Sequence, residues 1–120
     1  MGYNLKSLTS ELVNKNFADG GLVAWGQASG GAFFGAMGAA LASMHTISMK
    51  DGNILVIPFT NKQIKYSEAT IIKKSEIKTA KVSGILSGKL KIKLNNGKSL
   101  SFGITQGKGA VKQILTSLGF

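Results

Sequence analysis

Lys89-Leu90-Lys91-Ile92-Lys93-Leu94-Asn95-Asn96-Gly97-Lys98-Ser99-Leu100-Ser101-Phe102-Gly103-Ile104 decides the fold. A strand sends successive side chains to opposite faces. Leu90, Ile92 and Leu94 therefore share one face, and Lys89, Lys91 and Lys93 the other. Beyond the turn, Leu100, Phe102 and Ile104 alternate with Ser99, Ser101 and Gly103. If Asn96-Gly97 alone made the loop, Lys93 would stand opposite Leu100 and set charge beside core. A three-residue loop, Asn95-Asn96-Gly97 with Gly97 left-handed, instead pairs Ile92 with Leu100 and Leu90 with Phe102. That register predicts a half-buried antiparallel sheet. Its wet face carries Lys89, Lys91 and Lys93 beside Ser99 and Ser101, a candidate contact for an anionic surface.

Working outward, two more hairpins are expected. Asp51-Gly52 is a type I′ turn signal that pairs Met49 with Ile54 and Ile47 with Val56. Asn61-Lys62 turns the chain again and pairs Phe59 with Ile64 and Ile57 with Tyr66. Ile54 to Phe59 is then apolar on both faces, the mark of a strand inside the domain, and Pro58 within it implies a bulge or an unpaired N–H position. Further strands are expected at Leu22 to Ala28, around Thr70 to Lys73 and at Ile77 to Val82. At the N-terminal end, Leu5, Leu8, Leu12 and Val13 recur at helical spacing behind Asn4 as N-cap, with Asp19-Gly20-Gly21 as the stop. At the other end Val111, Ile114, Leu115 and Leu118 form one helical face closed by Gly119. The expected organisation is a single domain over 1–120, with an N-terminal helix in 1–18, strands over 22–104 and a C-terminal helix over 107–118.

From Gly20 to Met49 no Asp, Glu, Lys or Arg occurs, and within this stretch 30–44 is apolar and rich in Gly and Ala. Its apolar core is shorter than the ~20 residues a transmembrane helix needs. Phe33, Phe34, Met37 and Leu41 exceed what a small domain leaves on its surface. Gly31, Gly35 and Gly38 would let backbones approach closely, so this segment is the candidate self-association surface and a homo-oligomer is expected.

Composition excludes much chemistry. The chain has no cysteine, so disulfides and thiolate metal sites are ruled out. His45 is the single histidine, and five scattered acids supply no metal-ligand spacing. Gly-x-Ser-x-Gly is absent, and Gln106-Gly107-Lys108-Gly109 lacks the phosphate-loop spacing. No cofactor, metal or catalytic residue is expected, and the chain reads as a non-enzyme. The beginning of the sequence shows neither a secretory leader nor a myristoylation pattern. The expected location is therefore the cytoplasm, including the inner face of the membrane. Net charge is +10 and every basic residue is lysine, which disfavours base-specific nucleic-acid reading by arginine.

The order of elements resembles the bacterial pleckstrin-homology-like and GRAM-like domains. The resemblance runs through Trp25-Gly26-Gln27-Ala28, Ile57-Pro58-Phe59-Thr60-Asn61-Lys62-Gln63-Ile64, Ser75-Glu76-Ile77, the last hairpin and the helix from Ala110 to Leu118. It covers about two-thirds of the chain. It implies an α+β, mainly β fold: one bent antiparallel barrel of about seven strands with a capping C-terminal helix and a short N-terminal helix. Eukaryotic relatives bind phosphoinositides with basic residues around the first hairpin loop, whereas Ala28 to Met44 here has no lysine. Fold analogy alone supplies no function. Three classes stay open. First comes a non-enzymatic interaction module, self-associating or protein-binding. Second is a peripheral binder of anionic lipid, and third a non-specific nucleic-acid binder. Trp25, Phe59, Tyr66 and Phe102 read as core and leave no surface aromatics for base stacking, so nucleic acid is the least favoured partner.

Overall fold

The computed structural model describes residues 3–29, 44–84 and 88–120. The proposed self-association segment, Gly31 to Leu41, lies outside the described residues. Seven antiparallel strands form one curled sheet: β1 (Val23–Ser29), β2 (Met44–Lys50), β3 (Asn53–Phe59), β4 (Thr70–Ile72), β5 (Ile77–Ser83), β6 (Gly88–Leu94) and β7 (Ser99–Gln106). Their spatial order is β4-β3-β2-β1-β7-β6-β5. Two helices flank the sheet, α1 (Leu5–Asn14) and α2 (Lys108–Leu118). This is the α+β, mainly β architecture expected.

Two cores hold it together. On the concave face, residues such as Ile47, Ile54, Leu90, Ile92 and Phe102 pack with Val111, Ile114, Leu115 and Leu118 of α2. On the opposite face, Val23, Leu55, Ile57 and Phe59 pack under Leu8 and Leu12 of α1. β1 and β3 contribute to both cores. α1 covers only this part of the sheet, so the outer face of β5, β6 and β7 stays in water.

The registers follow the alternation. Leu90 lies opposite Phe102 and Ile92 opposite Leu100. Gly97 has φ +88°, and its N–H donates to the Leu94 carbonyl at 3.1 Å. In the Asp51-Gly52 turn both residues have positive φ (52° and 78°), as type I′ requires. Met49 pairs with Ile54 there, and Ile47 with Val56. Pro58 stands beyond the end of the β3–β4 ladder, which covers only Ile54 to Val56. Its carbonyl accepts the Lys65 N–H at 2.9 Å, so its missing donor faces the short Ile64–Lys65 segment outside any named strand. At Gly26, where β1 changes register against β7, an added Cβ would overlap the Gly103 carbonyl oxygen.

Three local expectations need correction. Phe59 does bridge to Ile64, but Ile57 does not pair with Tyr66. The chain instead enters a 3-10 turn at Tyr66–Glu68, because Tyr66 is held by α1 and the loop after it. Its ring stacks on Phe17 at 5.0 Å and its hydroxyl donates to Glu11 at 3.3 Å. Asn4 caps α1 as expected, in a reciprocal capping box with Ser7. That helix, however, ends before Asp19-Gly20-Gly21: Asn16 turns left-handed at φ 63°, and the Phe17 N–H returns to the Leu12 carbonyl at 2.7 Å. Val13 lies inside the helix but on the side away from Leu8 and Leu12, and it faces solvent rather than core.

Candidate functional site

The final three strands lay out a flat polar face in rows across the sheet. Lys91 stands between Lys81 of β5 and Ser101 of β7. Lys93 stands between Thr79 and Ser99, and Lys89 between Ser83 and Gly103. Neighbouring strands are ~4.8 Å apart, and same-face residues along a strand ~6.7 Å apart. The inward residues that force this outward set are Leu90, Ile92, Leu94, Leu100 and Phe102, all buried. A shallow depression of about 310 Å³ lies between the rows, lined by Thr79, Lys81, Lys91, Lys93, Ser99 and Ser101.

Lys89, Lys91, Lys93 and Ser99 are exposed and Ser101 is half-buried, so the five residues expected from the hairpin do share one surface. Sequence reasoning missed Thr79 and Lys81. A bulge between Ile77 and Thr79 shifts the phase of β5 and hides its alternation. Read from Thr79 onward, Thr79, Lys81 and Ser83 alternate with Ala80 and Val82, and that pattern would have found them.

The electrostatics are one-sided. All five carboxylates occur at or before Glu76, while Lys78, Lys81, Lys89, Lys91, Lys93, Lys98, Lys108 and Lys112 follow it. The ion pairs among the described residues join Lys50 to Asp19 and Asp51, and Lys65 to Glu68, all away from this face. Lys81 sits directly across from Lys91, an arrangement that costs stability because like charges oppose one another in adjacent strands. The face therefore presents several cations and hydroxyls with no carboxylate to balance them.

His45 is only 1% exposed and lies edge-on to Phe102 at 6.3 Å, inside the sheet. Burial, reinforced by the charge of Glu11 and the hydrogen bond to it, pushes the Tyr66 hydroxyl up to about 12. Among the described residues no three His, Cys, Asp or Glu side chains cluster to hold a metal, and no helix is long and apolar enough to cross a membrane. No protein-family model matches the chain, and comparison with curated proteins returns no significant match.

Proposed function

We propose that this chain is a non-enzymatic binding module of pleckstrin-homology-like type that docks on anionic membrane surfaces through the outer face of β5, β6 and β7. The observation that carries this reading is the Lys81–Lys91 opposition within a face that has no carboxylate. Such a cluster is unfavourable alone and is relieved when anionic headgroups approach, each lysine near such a surface contributing ~1 kcal/mol. Hydroxyls of Thr79 and Ser99 add hydrogen-bond donors to phosphate or carboxylate oxygens. A membrane suits this face better than nucleic acid, because it carries no aromatic ring for base stacking and no arginine.

Sedimentation with phosphatidylserine-containing vesicles tests the reading. Retention that exceeds that on pure phosphatidylcholine and falls steeply with added salt is expected. Equal retention on both lipids, or preferential retention on duplex DNA at the same ionic strength, contradicts it. A second reading rests on the apolar composition of 30–44 and makes the module a homo-oligomer through Phe33, Phe34, Met37 and Leu41. Light scattering at high protein concentration tests that reading, and a monomer would refute it.

A further inference from the structure

β5 is the last strand of the sheet and, among the described residues, pairs only with β6. Among the described residues, no strand pairs with its other edge. Proteins blunt such edges with bulges, lysines or proline. Here the bulge and Lys78 guard the first half; the second half, Thr79 to Ser83, carries Lys81 but is otherwise regular and free of proline. Beside that regular half runs a groove of about 280 Å³ between β5 and α2. Ala80, Val82, Leu115 and Phe120 form its apolar part, and Phe120 is 39% exposed. Lys81 and Lys112 also line it, and neither forms an ion pair among the described residues.

We propose that this edge and groove take an extended acidic segment of a partner protein as an added strand. The open backbone supplies the ladder, alternate apolar side chains of the segment enter the groove, and its carboxylates meet Lys81 and Lys112. An acyl chain would leave the edge N–H and C=O groups without partners, so a lipid tail is the poorer occupant. Edge protection explains the lysines but not an apolar floor with Phe120 left open beside it. The proposal does not depend on membrane docking by the neighbouring face, with whose lining the groove shares only Lys81.

The probe is a blocked hexapeptide of alternating Glu and Val, followed by amide NMR of the full chain. Binding is expected to slow amide exchange within Ala80 to Ser83. Lys112→Glu, an exposed change on α2, is expected to weaken binding about tenfold, equivalent to ~1.4 kcal/mol. The same peptide N-methylated at alternate backbone positions is expected not to bind. Absence of binding at millimolar peptide overturns the proposal. So does equal binding of the methylated peptide, or a response confined to Lys89, Lys91 and Lys93. If phosphatidylserine vesicles protect Ala80 to Ser83 and the peptide does not, the groove belongs to the membrane contact and the proposal is wrong.

Discussion

β3 and β6 are both seven-residue interior strands of one sheet, yet they meet different surroundings. Every residue of β3 from Ile54 to Phe59 is buried, one face towards α2 and the other under α1. In β6 burial alternates strictly from Gly88 to Leu94, and each exposed position is a lysine. The difference comes from α1, whose Leu8 and Leu12 cover one part of the convex face and leave the rest to water. One half of the sheet is spent on stability at both faces. The other leaves one face in water.

The largest expected effect tests whether the α1 core is as integral as the α2 core. Phe59→Ala and Phe102→Ala should each cost about 3–5 kcal/mol by urea unfolding, since both side chains are fully enclosed. A Phe59→Ala variant that loses only α1 while the sheet unfolds at its usual midpoint would break the comparison. Next comes Gly26→Ala, where the added methyl meets the Gly103 carbonyl, expected to cost at least ~1–3 kcal/mol. Gly103→Ala meets nothing closer than the Gln27 carbonyl at 3.9 Å and should leave the midpoint nearly unchanged. Gly97→Val is expected to cost ~1–2 kcal/mol through backbone strain alone, because no atom lies within 4 Å of its Cβ position. A structure of that variant with Lys93 opposite Leu100 would show that the turn, not the alternation, holds the register.

A smaller effect separates the halves by pH. The folded state raises the Tyr66 hydroxyl from 10.0 to about 12, so neutral tyrosine is favoured by folding. Its contribution is fully present below pH 10 and is lost as pH rises from 10 towards 12. Absorbance titration should show one tyrosine ionising late, and Tyr66→Phe should remove this part of the alkaline loss of stability. A Tyr66 titration at the ordinary value would mean that Glu11 and α1 do not hold the ring.

Much of this was legible in the sequence, for stated reasons. Leu90, Ile92, Leu100 and Phe102 carry their register in strict alternation, and Asp51-Gly52 and Gly97 are positions where the turn demands positive φ. The site was only half legible. Lys89, Lys91 and Lys93 declare their face, but the bulge after Ile77 conceals Thr79 and Lys81, and without Lys81 the repulsive pair is invisible. Tyr66 misled for a different reason. Its local spacing continues a strand, while Phe17 and Glu11, remote in sequence, decide its placement. Asn16 ends α1 early because asparagine tolerates the left-handed conformation that glycine usually supplies.

If the lysine face trades stability for the binding proposed above, the single variant Lys91→Gln reveals both sides of the trade. Its urea midpoint and its retention on phosphatidylserine vesicles should be measured on one preparation. The account predicts that removing the charge opposite Lys81 leaves the fold as stable or more stable, by ~0.2–1 kcal/mol. It predicts at the same time about fivefold weaker vesicle binding, the equivalent of ~1 kcal/mol for one lysine. Unchanged vesicle binding, or a fold weakened by the loss of Lys91, would contradict it.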